Sequence, residues 1–241
     1  MNRAEALMEK PFSLSLSSGF FGYFAHLGFV KAFEAKGLKP SLLSGSSSGA
    51  IVAAGLASGR SAEELEEIFL RVGKDDFWDP TVGFGYLKGQ KIEQLLNEYC
   101  VPSFEEVKIP LHISVFNIRR FKTEVFNAGS IAKACRASAA VPLLFHPVRI
   151  KGAFYWDGGI RDRAGHRGAR SSSHVPVIHY LESKSWISRV EDKFLYSDIH
   201  KHPFFFRTSS QIRMGPTLLH HGKDVIEHFQ QKTSAWLEES V

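Results

Sequence analysis

Five small residues, Gly45-Ser46-Ser47-Ser48-Gly49, lie between an apolar pair, Leu42-Leu43, and a run of small apolar residues from Ala50 to Ala57. Apolar residues that pass through glycine into a small-residue run predict a strand turning sharply into a helix. The pattern G-x-S-x-G is that of a nucleophile elbow, whose middle residue is held in a strained backbone conformation while bulkier neighbours would collide across the turn. Ser47 is that middle residue; Ser46 and Ser48 replace it only if the turn is read one position out of register. A flexible linker is the other use of Gly/Ser runs, but linkers are not flanked by residues this apolar. A serine raised above a sheet edge at the start of a helix can attack a carbonyl, with backbone N–H groups nearby to hold the oxyanion.

Upstream, Phe12-Ser13-Leu14-Ser15-Leu16 alternates apolar and small polar residues, which predicts a first strand ending in Ser17-Ser18-Gly19. Phe20, Phe24, Leu27, Val30 and Phe33 recur at steps of three or four, giving a helix with one apolar face, and Gly37 is placed to end it before Pro40. Strand, helix and the Leu42-Leu43 strand form a βαβ unit, so the two strands are expected to be parallel. The loop from Ser18 to Tyr23 and the elbow then open together at the carboxyl ends of neighbouring strands, where open α/β sheets bind ligands.

Further along, Ser61-Ala62-Glu63-Glu64 is a capping box for a helix whose apolar face is Leu65, Ile68, Phe69 and Val72. Residues Asp75 to Gly85 read as a loop, Ile92 to Tyr99 as a helix, Leu111 to Ile118 and Thr123 to Phe126 as strands, and Ser130 to Ala140 as a short helix. The aromatics Phe77-Trp78 and Phe84-Gly85-Tyr86 read as core packing or as walls of an acyl-chain pocket. Two short apolar stretches, Pro147 to Ile150 and Ala153 to Trp156, lead into Asp157-Gly158-Gly159. By itself an Asp followed by two glycines is a turn. Beside a serine elbow, its carboxylate becomes a candidate base, provided partial desolvation raises its pKa enough to accept a proton.

Val175 to Tyr180 reads as a late strand and Asp224 to Leu237 as a last helix. Between them, His202-Pro203-Phe204-Phe205-Phe206-Arg207 invites two readings: a buried aromatic strand, or a segment touching a membrane interface with Arg207 and Arg213 near phosphates. The 241 residues are expected to form one domain, 1–241. No run reaches transmembrane length, and Arg3, Glu5 and Glu9 stand where a signal peptide would be apolar, so the cytoplasm is the expected compartment, with peripheral membrane contact. Cys100 and Cys135 lack metal-ligand spacing and read as free thiols. The net charge of +5 is concentrated between Arg149 and Arg213, but no nucleic-acid-binding signature accompanies it, and no nucleic-acid partner is expected.

With these residues assembled, roughly the first two-thirds of the chain resembles the patatin-like phospholipase family. Leu16-Ser17-Ser18-Gly19 through Ala25-His26-Leu27-Gly28 resembles its glycine-rich oxyanion block, Gly45 to Gly49 its elbow, and Asp157-Gly158-Gly159 its D-G-G block. Ala137-Ser138 to Val141-Pro142 and Phe145 to Pro147 also have the family's look. The resemblance implies a three-layer α/β/α fold with a mostly parallel central sheet and a Ser47–Asp157 dyad. It also implies oxyanion-hole groups at Ser18, Gly19 and Phe20, and action on phospholipids or other acyl-ester lipids without metal or cofactor. Phe20 and Gly22 depart from the pattern, standing where the family has a glycine and a basic residue. Arg161 to Ser173, rich in Arg, Gly and Ser, leaves the pattern and reads as a mobile basic loop.

Two rival readings remain. One is an α/β-hydrolase with a Ser-His-Asp triad, its base drawn from His166, His174, His179, His200, His202, His220, His221 or His228. The other is a lipid-binding scaffold with weakened catalysis. Acyl transfer to an alcohol other than water uses the same acyl-enzyme.

Overall fold

The computed structural model describes residues 1–182, 201–208, 215 and 217–241. The expected first strand is β1 (Phe12–Leu16), followed by α2 (Tyr23–Ala35) after a short opening helix α1 (Arg3–Met8). Gly37 adopts φ +70° and its N–H bonds to Glu34 O, ending α2 as a left-handed glycine does. The second strand is β2 (Leu42–Gly45), which runs through the elbow into α3 (Ser48–Ala57). Strands β1 and β2 are parallel, with Leu14 beside Leu43 and Ser15 beside Ser44, as the βαβ unit requires.

The capping box is present: Ser61 Oγ accepts from Glu64 N–H and the Glu64 carboxylate accepts from Ser61 N–H, starting α4 (Ala62–Arg71). Beyond it lie β3 (Gly85–Leu87), α5 (Gln90–Tyr99), β4 (Leu111–Asn117), β5 (Lys122–Phe126) and α6 (Ile131–Ser138). Then follow β6 (Leu143–Phe145), β7 (Val148–Ile150), β8 (Ala153–Trp156), β9 (Val175–Leu181), β10 (Phe205–Thr208) and α7 (Gly222–Glu238). Strands β3 and β6 were not foreseen. They form a parallel two-stranded ribbon of their own, too short for the alternation of either strand to register in the sequence.

The central sheet has the order β10-β9-β1-β2-β4-β8-β7, with β5 on the other edge of β4. From β10 to β4 all neighbours are parallel, and β5, β8 and β7 add antiparallel pairs. The architecture is the three-layer α/β/α fold with a mostly parallel sheet. One face carries Leu14, Leu16 and Leu43, which join α2, α3, α6 and α7 in the main core. All five residues of β1 are buried, although its alternation suggests one wet face.

The reason lies on the second face. Ser15, Ser44 and His112 are lateral neighbours there, and Ser114 follows on the same side. Each is met by the segment 161–173: Ser15 Oγ lies 3.0 Å from His166 Nδ1, Ser44 Oγ donates to Gly165 O at 2.6 Å, His112 Nδ1 donates to Gly168 O, and Ser114 Oγ donates to Asp162 Oδ2 at 2.6 Å. The expectation of a mobile basic loop is therefore corrected. Asp162, Ala164, His166 and Ala169 are buried, and the segment is a fixed lid on a polar sheet face.

The aromatic run is settled in favour of the buried strand. Phe204 and Phe206 are buried, and Phe206 packs on Phe29 and Trp236, so membrane contact through this run is corrected. Arg207 forms an ion pair with Glu182. Arg213 and His200 lie outside the described residues. Cys100 and Cys135 are buried free thiols, and among the described residues no helix is long and apolar enough to cross a membrane.

Candidate active site

Strand β4 brings the two halves of the site together. Along one edge, β2 runs parallel to β4 and ends with Gly45 beside Ile113; β8 runs antiparallel to it and ends with Trp156 beside Phe116. Because β5 occupies the opposite edge from Ile113 to Asn117, β2 and β8 share this one and approach each other head-on, separated only by the span of Ser114 and Val115. The residues that leave their ends, Ser46-Ser47 and Asp157-Gly158, meet in that gap.

Ser47 has φ +52° and ψ −121°, a conformation that a residue with a side chain rarely adopts. It is half-buried, whereas Ser46 and Ser48 are buried, so of the three serines Ser47 is the one open to solvent. Its N–H donates to Ser138 Oγ at 2.8 Å, and that hydroxyl donates in turn to Ser114 O at 2.7 Å. The elbow glycines are there for close approach. A Cβ on Gly49 would lie 2.1 Å from Leu16 O, and one on Gly45 2.7 Å from Ala50 N.

Asp157 is buried. Its Oδ1 accepts from Gly159 N–H at 2.7 Å, and its Oδ2 has no hydrogen-bond partner among the described residues. Burial raises its pKa from 3.8 to about 6, against the opposing pull of the Ser47 hydroxyl, the Gly159 N–H and the Arg163 guanidinium. The Ser47 hydroxyl is thus close enough to act on the carboxylate without completing a well-formed hydrogen bond to Oδ2. We read the two groups as apposed, with the bond left to be tightened by a bound substrate. Gly158 packs against Ser114 O, where a Cβ would approach to 2.1 Å, and Gly159 lies against Ser18 Oγ.

The loop after β1 closes the third side. Ser18 N–H is already donated to Arg163 O at 2.8 Å, so Ser18 leaves the set of oxyanion donors. The N–H groups of Gly19 and Phe20 have no acceptor among the described residues. That of Ser48, the residue after Ser47 and the first of α3, is the donor that an elbow usually contributes and that the sequence reading did not name. Gly19, Phe20, Ser47 and Ser48 share the wall of a cavity with about 950 Å³ of empty space, open solvent at its mouth included. Phe69, Phe77, Trp78, Leu95 and Tyr99 line its depth. Of the aromatics foreseen as pocket walls, Phe77 and Trp78 take that place, while Phe84 and Tyr86 are exposed outside it.

With this geometry in place, a family model described as Patatin-like phospholipase matches residues 14–170, more than half of the chain. The chain belongs to the patatin-like phospholipase family. An uncharacterized NTE family protein of Mycobacterium tuberculosis is 30% identical over 159 residues, covering 62% of this chain and 43% of its own. An uncharacterized protein of Acanthamoeba polyphaga mimivirus is 28% identical over 170 residues, covering 61% of this chain and 57% of its own. The chain therefore spans less than half the length of the mycobacterial relative. Among solved structures, VipD from Legionella pneumophila aligns with a TM-score of 0.57 at 14% identity, over 95% of this chain and 67% of that one. ExoU in its complex with SpcU from Pseudomonas aeruginosa aligns at 0.55 and 17% identity, over 95% and 51%. These two likenesses speak to the fold.

This patatin-like chain departs from the family's basic residue at Gly22. A Cβ there would lie 2.6 Å from Leu181 Cδ1 and 3.0 Å from Ser48 Oγ, so a side chain would have to displace the tip of Leu181. Arg163 stands close by instead: its Nη2 donates to Leu181 O at 2.9 Å, its carbonyl holds Ser18 N–H, and its charge acts on Asp157. The sequence marks Ser138 only as part of the stretch from Ala137-Ser138 to Val141-Pro142, and it does not mark Arg163 for this place.

Three of the candidate histidines have other partners. His179 Nδ1 lies 2.9 Å from His26 Nδ1, and burial pushes His26 down to about 4 and His179 well below its ordinary value. His166 meets Ser15, and His221 meets Asp224. Among the described residues, no histidine is hydrogen-bonded to Ser47.

Proposed function

We propose that the protein is a serine lipid acyl hydrolase of the phospholipase A type, with Ser47 as nucleophile and Asp157 as its base. The observation that carries this reading is the buried Asp157 Oδ2, unpartnered and apposed to the Ser47 hydroxyl at the wall of an apolar cavity. Ser47 Oγ attacks the ester carbonyl as its proton passes to Asp157. The oxyanion is received by the N–H groups of Gly19, Phe20 and Ser48. The intermediate collapses to an acyl-Ser47 ester, and the departing lysolipid alkoxide takes the proton back from Asp157. Water then attacks the acyl-enzyme by the same route, giving the fatty acid and free Ser47.

A pKa of about 6 suits the base: at neutral pH the carboxylate is mostly ionised yet close enough to the solvent pH to take a proton in the transition state. The apolar cavity receives the acyl chain, and burial on this scale favours a lipid over a small polar ester. Arg163 takes the part of the absent basic residue, fixing the oxyanion loop through Ser18 and Leu181 while offsetting some of the desolvation of Asp157.

The test is release of fatty acid from phospholipid vesicles and of product from a soluble short-chain ester, in a chelator, by wild type, Ser47→Ala and Asp157→Asn. Loss of both activities in both variants, with wild type active, supports the dyad. Wild type inactive on every ester but still bound to vesicles would leave the scaffold reading in its place.

A further inference from the structure

The β3–β6 ribbon touches both the cavity and solvent. Leu87, Leu144 and Phe145 line the cavity that holds Ser47. Other apolar residues of the ribbon face water: Tyr86 is 54% exposed and Leu143 85%, and in the chain leading into β3 Phe84 is 81% and Val82 99% exposed. Phe20, itself part of the cavity wall, is 60% exposed. Scattered exposed apolar residues need no explanation, but several borne by the same short ribbon that walls an apolar cavity do.

Leu143 sharpens the point. It stands at φ +69°, a conformation that strains any residue with a side chain, and uses it to present an isobutyl group to solvent.

We propose that the exposed apolar residues of the β3–β6 ribbon and of the chain leading into it, with Phe20, form the surface by which the protein sits on a lipid bilayer, so that acyl chains pass from the membrane directly into the cavity. The inference rests on the acyl-hydrolase reading for the identity of the cavity's guest. A bilayer is favoured over a protein partner by continuity: the same ribbon that walls the acyl cavity carries the exposed face, so a flat apolar phase pressed on it lies at the cavity mouth. The charges around the ribbon are mixed. Lys74 and Lys88 are exposed but so are Asp75 and Asp76, and Lys74 Nζ rests 4.3 Å above the Trp78 ring. Attachment is accordingly by apolar insertion, and zwitterionic vesicles suffice.

The experiment compares wild type, the Val82→Ser/Phe84→Ser/Leu143→Ser triple variant and Ser47→Ala in co-sedimentation with phosphatidylcholine vesicles, with and without phosphatidylglycerol. Fatty-acid release from the same vesicles and hydrolysis of a soluble short-chain ester are followed alongside. The triple variant is expected to lose vesicle binding and at least tenfold in vesicle hydrolysis, with soluble-ester hydrolysis unchanged, because none of its three positions lines the cavity. Ser47→Ala is expected to bind vesicles as wild type does. Vesicle binding by the triple variant equal to wild type overturns the proposal, as does a wild-type dimer that the three serines dissociate without loss of vesicle binding. If wild type hydrolyses neither ester but the triple variant still releases the vesicles, docking stands and the hydrolase reading fails. Should the triple variant not fold, Phe84→Ser alone carries the same comparison.

Discussion

Ser47 and Asp157 face each other across the span of two residues of β4, yet they are held by different kinds of structure. Ser47 is fixed by backbone: a positive φ, two flanking glycines in close contact with main-chain atoms, and the start of a helix immediately after it. Apart from the contact of Gly49 with Leu16 O and the Ser138 hydroxyl on its N–H, what shapes it lies within a dozen residues. Asp157 is fixed from far away, by β8 running against β4 and by the polar segment 161–173 locked onto the serine face of the sheet. The proposed nucleophile is mainly a local feature of the chain and the proposed base a tertiary one. Their tolerance of change should differ accordingly.

The largest effect is expected at the elbow itself. Gly49→Ala places a Cβ 2.1 Å from Leu16 O, a main-chain atom in the centre of the sheet that cannot give way. The variant should be destabilised by several kcal/mol, on the order of a severe core lesion, or fail to fold. A urea denaturation curve superimposable on wild type would show that the elbow is not held by this contact.

Next comes the base. Asp157→Asn should reduce ester hydrolysis by about 10³-fold or more, on the scale of losing a member of a catalytic unit, while making the protein harder to unfold. The folded carboxyl binds its proton more tightly than an unfolded one, so the stability it confers is complete below about pH 3.8 and lost as pH rises through about 6. At neutral pH the ionised form costs about 3 kcal/mol at most, which the amide avoids. Asp157→Asn should therefore have the higher urea midpoint at pH 7 and no advantage at pH 3.5. A lower midpoint at pH 7 would mean that the carboxylate is stabilised by its surroundings instead.

The anchor of the base side is third. Asp162 accepts from Ser114 Oγ at 2.6 Å, Arg167 N–H at 3.0 Å and His166 N–H at 3.2 Å, all in the interior. Asp162→Ala should cost about 2–3 kcal/mol and free segment 161–173 for limited proteolysis while the elbow and α3 stay protected. Protease resistance equal to wild type would deny the segment its part in placing Asp157.

The smallest effects are on pH dependence. If the proposed dyad carries the reaction, activity needs the ionised Asp157, and kcat/KM should fall below an acid limb near pH 6, about tenfold per unit. Arg163→Gln removes the cation that favours the carboxylate and should move that limb to higher pH; Arg163→Lys should restore most of the difference. A limb in the same place for all three proteins would reduce Arg163 to a structural clamp.

How far the sequence could be read follows the same division. The elbow, the first βαβ unit, the capping box and the Asp157-Gly158-Gly159 turn were legible because each is written in neighbouring residues. The segment 161–173 was misread because Arg, Gly and Ser are also what a mobile loop is made of. Its order depends on Ser15, Ser44, His112 and Ser114, and their alternation on the strands looked like ordinary solvent-facing polarity. The ribbon strands β3 and β6 escaped notice because three residues are too few to show a period. Ser138 was legible only as part of the stretch from Ala137-Ser138 to Val141-Pro142, with nothing to say that its hydroxyl would hold Ser47 N–H, and no local pattern set Arg163 apart from other arginines.

By itself the sequence determined the strained serine, the parallel pair of strands that places it at a carboxyl edge, and the family to which the resemblance pointed. Steric exclusion and hydrogen bonding along a few consecutive residues are enough for that, since they act at the range of a turn. Only the tertiary structure decided that β2 and β8 would end facing each other on one edge of β4, that the buried carboxyl would keep one oxygen unpaired beside Ser47, and that apolar side chains would be left outside the cavity mouth. Those outcomes depend on desolvation and on packing between residues a hundred positions apart, and the free energy of burial belongs to the assembled surface rather than to any stretch of the chain.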